Sequence, residues 1–103
     1  AHLLHQRFHF APGRLALRGG LDFSSAAAAH EAGLAHFRRD GAREWTVDCS
    51  GLDSANSAAV AVLLDWLAVV HRAGGRLRYE GLPDRVRAIA EISEVGELLE
   101  TGV

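Results

Sequence analysis

Apolar and polar side chains alternate near the start of the chain, and this alternation predicts two strands. Residues 7–10 place Phe8 and Phe10 on one face, and residues 14–18 alternate in the same way. Proline and glycine at positions 12–13 are typical of a turn. The sequence therefore predicts an antiparallel pair at the start of the fold.

The rest of the chain alternates between helical and strand-like patterns. Residues 22–41 and 57–73 have apolar side chains at helical spacing, and Pro83 occupies a position that a helix's first turn accepts. Residues 43–51 and 76–82 alternate with a period of two, which is typical of strands. A short fourth helix is predicted to hold Leu98 and Leu99. The predicted order is β-β-α-β-α-β-α-α.

This order predicts a single α/β domain over residues 1–103. Strand–helix–strand units imply parallel pairing with right-handed crossovers, and the initial hairpin makes the four-stranded sheet mixed. Because the chain has only 103 residues, we expect about four helices that cover mainly one face of the sheet.

The helix after position 57 has an unusual distribution of apolar side chains. At about 100° per residue, its core side carries Val60, Leu63, Leu67 and Val70. The opposite arc consists of Ala58, Ala61, Val62, Asp65, Val69 and Arg72, with Trp66 at its border and part of that ring accessible. An isolated domain usually places charged residues on such an arc. Its apolar members therefore predict a protein-docking face, which Asp65 and Arg72 would orient by charge.

A simpler interpretation is that other parts of the same domain cover this arc. If Val62 and Val69 are buried within the monomer, the predicted docking face does not exist. If they are exposed, the apolar patch would also favour self-association when the partner is absent.

Ser57 stands directly before the apolar helix, which favours a role as its N-cap. Such a cap contributes on the order of 1 kcal/mol by accepting a hydrogen bond from an otherwise unpaired amide. A helix N-terminus also attracts negative charge, so a phosphate or another anion would be stabilised there.

Composition and charge exclude several functional classes. The net charge of −2 offers no basic field for nucleic acid or anionic lipid. The longest apolar run, residues 58–64, is far shorter than a membrane span of roughly 20 residues. Cys49 has no second cysteine to pair with, which favours a reducing compartment. We therefore expect a cytoplasmic protein that meets a membrane only through a partner.

The histidines and nucleophiles do not form a recognisable catalytic pattern. His5 and His9 would lie roughly 13 Å apart on a strand, and His30 and His36 are six residues apart rather than the four of a zinc-protease helix. Ser57 has neither a nearby histidine nor a Gly-x-Ser-x-Gly turn. We expect no catalytic residue, no metal and no cofactor.

Two long stretches resemble a known family. The segments "VDCSGLDSANSAAVAVLLDWL" and "AGGRLRYEGLPDRVRAIAEISEVGELL" are similar to STAS domains, the fold of the anti-sigma factor antagonists. Within that group the chain most resembles the small standalone STAS subunits of Mla-type phospholipid-transport ABC complexes. The resemblance extends from about Phe8 to the end of the chain and implies a mixed four-stranded sheet with helices.

The resemblance implies two alternative functions. In the antagonists the strand–helix junction reads Asp-Ser-Ser-Gly, and its first serine, which a kinase phosphorylates, falls on Ser57. Asn56, Ala58 and Ala59 replace the other three residues here. In the Mla-type subunits the junction and its helix resemble a docking surface for the transporter's cytoplasmic ATPase.

We therefore expect an accessory subunit of a phospholipid-transport ABC system that supports outer-membrane lipid asymmetry, peripheral to the inner membrane through its ATPase partner. The alternative is an anti-sigma factor antagonist regulated by phosphorylation at Ser57. The residues predicted to contact the partner are Asn56, Ser57, Ala58, Ala61, Val62, Asp65, Trp66, Val69 and Arg72.

Overall fold

Strands and helices follow one another in the predicted order. The structure, a computed structural model, describes residues 6–92. Its elements are β1 (Gln6–Ala11), β2 (Arg14–Leu21), α1 (Ala26–Asp40), β3 (Glu44–Ala55), α2 (Ser57–Arg72), β4 (Arg76–Glu80) and α3 (Asp84–Ile92). The predicted α/β class is confirmed, with three helices in this range. The fourth helix, predicted around Leu98 and Leu99, lies outside the described residues.

The four strands form one mixed sheet in the order β1-β2-β3-β4. The first pair is antiparallel, and the other two pairs are parallel, as the crossover connections predicted. Gly13 lies at φ 67°, a left-handed conformation that suits glycine in the hairpin turn. Its amide donates to Asp40 Oδ2 at 2.7 Å, which ties the hairpin to the end of α1.

The apolar sides of the strands face the helices. The buried strand residues are Leu15, Leu17, Leu21, Trp45, Val47, Cys49, Leu52, Ala55, Leu77 and Tyr79. Alternate positions such as Arg14, Arg76 and Arg78 are exposed. Arg14 and Arg78 both reach Glu80, at 3.4 and 2.9 Å, and such exposed ion pairs contribute little to stability. The helices thus pack on one face of the sheet, and charged side chains occupy the other.

Helix α1 begins later than the sequence indicated. Residues 22–25 form a turn before it, so the first helical residue is Ala26. Helical spacing puts Ala27, Leu34 and Phe37 on one side; Phe37 is buried and Leu34 packs against the core, but Ala27 is exposed. The buried residues of α1 are Ala29, Gly33, His36 and Phe37.

His36 links α1 to the β1–β2 hairpin by hydrogen bonds. Its Nε2 lies 3.1 Å from the carbonyl oxygen of Ala11 and 3.0 Å from that of Arg14. Both partners are acceptors, so Nε2 carries the proton and donates to them. This contact joins the last turns of α1 to the two residues that flank the hairpin turn.

Helices α1 and α2 lie side by side and touch through Trp66. Its indole packs edge-on against Phe37 with ring centroids 5.8 Å apart, and its Nε1 donates to the carbonyl of His30 at 3.3 Å. A Cβ added at Gly33 would overlap the Trp66 ring. His30 Nε2 also contacts Asp65 Oδ2. One flank of α2 is therefore covered by α1.

Candidate protein-docking site

The strand–helix junction is capped by Asn56 rather than by Ser57. The Asn56 backbone is extended at φ −138°, and its side-chain oxygen accepts a hydrogen bond from the amide of Ala58 at 2.9 Å. Ser57 is already the first helical residue, and it is exposed. The predicted N-cap role of Ser57 is therefore wrong, because the preceding residue supplies both the extended backbone and the acceptor that a cap requires.

The predicted outward arc is only partly exposed. Val62 and Trp66 were expected to be accessible, yet Val62 is 6% exposed and Trp66 is fully buried. This expectation is wrong because α1 covers the flank of α2 on which both residues lie. Val69 is half-buried. Of the two residues whose burial would rule out the docking face, Val62 is buried and Val69 remains partly exposed.

The remaining predicted contact residues lie at or near the surface. Ala61 and Arg72 are exposed, whereas Asn56 and Ala58 are half-buried. Asp65 is half-buried too, and its carboxylate contacts His30 instead of standing free to orient a partner. The predicted face is therefore open mainly at its two ends, at Ser57 and Ala61 near the start of α2 and at Arg72 in its last turn.

The exposed residues of α2 centre roughly 75° away from the predicted arc at 100° per residue. They are Ser57, Ala61, His71 and Arg72. Leu64 and Ala68 lie between them and are half-buried, as are Ala58, Asp65 and Val69 on the predicted arc. Leu64 and Ala68 were not among the predicted contacts, because periodicity defines the outward arc only as the side opposite the sheet. The signal that could have revealed the second contact is Gly33 and Phe37 in α1, a small and a large residue one turn apart.

Phe23 is a further surface residue that the sequence analysis missed. It is 73% exposed, the most exposed large apolar side chain in the described chain. The turn that carries it is held by the Asp22 carboxylate, which accepts from the Ser24 hydroxyl at 2.7 Å and from the Ser24 amide at 3.0 Å. The bond from the Ser24 hydroxyl is the main reason that the Asp22 pKa lies below its ordinary value.

The turn and the junction lie at the same end of the sheet. Leu21 pairs with Ala55, and the amide of Asn56 donates to the carbonyl of Leu21 at 3.3 Å. A polar depression between them is lined by Asp22, Ser54, Ala55, Asn56 and Arg85. We call the exposed and half-buried group around this end the junction surface, defined as Phe23, Asn56, Ser57, Ala58 and Ala61.

The described residues include candidate metal ligands and one free cysteine, Cys49. Within residues 6–92 no group of three or more His, Cys, Asp or Glu side chains is placed to hold a metal ion. Burial raises the pKa of the Cys49 thiol to about 12, so this thiol is not the reactive thiolate at neutral pH. In the same part of the chain, no helix has both the length and the apolar character that crossing a bilayer requires.

Comparisons with known proteins agree with the sequence resemblance. Residues 4–100 match the family model described as "Mlab, STAS domain". A search of curated proteins finds no significant match. Among solved structures, a chain of the Acinetobacter MlaFEDB complex in an ATP-bound conformation is 27% identical, with a TM-score of 0.75 over 93% of this chain and 97% of that one.

Two structures of anti-sigma factor antagonists share the fold at lower identity. The putative antagonist from Thermotoga maritima is 13% identical, with a TM-score of 0.73 over 92% of this chain and 83% of that chain. Unphosphorylated SpoIIAA is 15% identical, with a TM-score of 0.71 over 89% and 83%. The mixed sheet, the helices on one face and a family match over nearly the whole length lead to one conclusion. The chain belongs to the STAS domain family.

Proposed function

We propose that this chain is a non-enzymatic accessory subunit that binds the cytoplasmic ATPase of a phospholipid-transport ABC system through its junction surface. In this role it supports assembly or activity of the ATPase, and it meets the inner membrane only through that partner. The match to the Mlab family model and the 27% identity to a chain of the MlaFEDB complex support the choice of partner.

The observation that carries the proposal is the 73% exposure of Phe23 beside the junction. Large aromatic side chains are enriched among the residues that dominate binding energy at interfaces, because they bury much area at little entropic cost. The neighbouring exposed residues, Ser57 and Ala61, are small, so a partner's backbone can approach α2 closely. An aromatic anchor beside a shallow, small-residue helix end suits a groove or an apolar pocket on another protein.

Co-purification with the ATPase tests this proposal. The chain is co-expressed with the tagged ATPase subunit of the phospholipid transporter from the same genome, and the bound fraction is measured. Phe23→Ala and Ala61→Glu should each weaken binding by about thirtyfold or more, as expected for a central anchor and for a charge placed in an interface. Ala35→Glu, on the exposed side of α1, is the matched control and should bind normally.

Thermal unfolding of each variant checks that the fold is intact, since all three positions are exposed and substitutions there change stability little. Undiminished binding by both Phe23→Ala and Ala61→Glu would contradict the proposal. Equal loss in the Ala35→Glu control would also contradict it, because binding would then not be localised at the junction.

A second candidate function is that of an anti-sigma factor antagonist regulated at Ser57. The specific observation in its favour is that the Ser57 hydroxyl is exposed in the first turn of α2, where a kinase could reach it and where the helix favours negative charge. Incubation with a cognate anti-sigma kinase, followed by mass measurement, tests it. Phosphate on Ser57 that is absent in Ser57→Ala would support this function over the transport role.

A further inference from the structure

A second cavity lies far from the junction surface. It has a volume of about 300 Å³ and is bordered by the C-terminal ends of α1 and α2, the start of β3 and the turn before β4. Trp45, in its wall, and Ala55, beside the junction, are separated by most of β3, roughly 30 Å along the strand. This cavity does not belong to the surface used in the proposed function.

The floor of the cavity is apolar. Phe37 and Trp45 pack edge to face with ring centroids 4.9 Å apart, and each is more than nine-tenths buried. Val70 is buried beside them, and Val69 is half-buried on the wall. The cavity therefore offers a ligand a surface made chiefly of aromatic and aliphatic side chains.

Several main-chain carbonyls at the edge of the cavity already have partners. The Ala42 carbonyl accepts from Trp45 Nε1 at 2.9 Å, and the Arg43 carbonyl accepts from the Arg76 amide at 2.7 Å. The Val70 carbonyl accepts from the amide of Gly75 at 2.9 Å. These acceptors are satisfied within the domain, so they do not select a ligand.

Two guanidinium groups are the polar side chains that border the cavity. Arg38 and Arg43 are both exposed, and neither forms an ion pair within residues 6–92. A guanidinium binds carboxylate and phosphate oxygens with two parallel hydrogen bonds. Apolar walls beside two cations that have no ion-pair partner among residues 6–92 are complementary to a molecule that has an aliphatic body and an anionic head.

We propose that this cavity binds a small amphipathic anion: an aliphatic chain of medium length that ends in a carboxylate or a phosphate. The aliphatic part lies against Phe37, Trp45 and Val69, and the head group lies between Arg38 and Arg43. A volume of about 300 Å³ is at the lower end of the range for ligand sites, which favours a single chain of medium length over a whole two-chain lipid. The inference is independent of the proposed function.

Binding is tested by nuclear magnetic resonance on the full chain, with decanoate and decyl phosphate as probes and decanol as the neutral control, all below their aggregation limits. Saturable shifts are expected at the Trp45 indole and the Gly75 amide, while the Ser57 amide stays unmoved. Because each charge-assisted hydrogen bond favours the anion, decanol should bind about tenfold more weakly or worse. Comparing the two anions distinguishes a carboxylate from a phosphate head group.

Charge reversal at the rim provides the second measurement. The Arg38→Glu/Arg43→Glu variant should bind the anions at least about tenfold more weakly. Arg39→Glu is the matched control, because Arg39 is exposed in the same helical turn but does not border the cavity, and it should bind normally.

Four results would overturn the proposal: no saturable shift with either anion, equal binding of decanol, shifts centred on Ser57, or undiminished binding by the double variant. A fifth is binding of a peptide with an apolar residue and a terminal carboxylate when neither decanoate nor decyl phosphate binds. That result would assign the cavity to a protein partner.

Discussion

The two flanks of α2 have similar apolar compositions but opposite environments. On one flank Trp66 packs against α1 and is fully buried, and Val62, one turn earlier, is 6% exposed. On the other, Ala61 is exposed and Leu64 and Ala68 are half-buried. The difference shows that an apolar arc can face away from the sheet and still be inaccessible to a partner protein. A neighbouring helix on the same face of the sheet can cover half of it.

The difference in exposure between the two flanks depends on Gly33. Its missing side chain leaves room for the Trp66 indole, which then reaches the His30 carbonyl. This close approach leaves Trp66 fully buried between α1 and the core. No described element covers Ala61 in the same way, so the open flank continues into the junction surface.

The largest expected loss of stability comes from removing Trp66, the buried side chain on the covered flank of α2. Trp66→Ala should lower the free energy of unfolding by about 3–5 kcal/mol, because it empties a fully buried indole's volume. Chemical denaturation measures this loss. Leu64→Ala on the open flank is the control and should cost clearly less, since Leu64 is half-buried. Equal losses would mean that the two flanks do not differ as described.

Gly33→Ala sharpens the comparison through the sign of its effect. In an ordinary helix interior, replacing glycine by alanine stabilises by roughly 0.5–1 kcal/mol. At Gly33 the added Cβ would overlap the buried Trp66 ring, so we expect a loss of about 1–3 kcal/mol instead. Denaturant titration gives the sign directly. A stabilised variant would show that α1 can move away from α2 without penalty.

Substitutions of Asn56 and Ser57 should distinguish the residue that caps α2 from the residue that only lies at its surface. Asn56→Ala should destabilise the chain by about 1 kcal/mol, because the Ala58 amide loses its capping acceptor. Ser57→Ala should stay within about 0.5 kcal/mol of the unmodified chain, as is usual for exposed positions. Thermal unfolding of both variants checks this. The reverse ranking would restore Ser57 as the cap.

A pH titration tests the burial of the strand beneath α2. The Cys49 pKa rises by burial from an ordinary 9.0 to about 12, so the unfolded thiol ionises first as the pH increases. The contribution of the buried, neutral thiol to the free energy of unfolding is therefore fully present below pH 9 and is lost as the pH rises from 9 to 12. About 1 kcal/mol of this contribution is lost by pH 10. Denaturation at pH 8 and pH 10 should show this decline, with Cys49→Ala declining less. An equal decline would place its cause elsewhere.

The fold could be predicted from the sequence because its signals are local. Alternation through Trp45, Val47 and Cys49 marks a strand whatever surrounds it, and the three residues are buried as expected. Glycine and proline at positions 12–13 mark the hairpin turn in the same local way. The order of elements then leaves few ways to connect the strands, so a mixed sheet could be predicted.

The candidate site could be predicted only in part, because its exposure depends on contacts between distant segments. Burial of Trp66 requires Gly33 and Phe37, which lie about thirty residues earlier in the chain. The exposure of Phe23 depends on a turn that Asp22 closes by hydrogen bonds. Periodicity identifies the apolar positions of a helix, but it carries no information about how many neighbours that helix has. Packing of α1 against α2 supplied that information here, since two side chains cannot occupy the same volume.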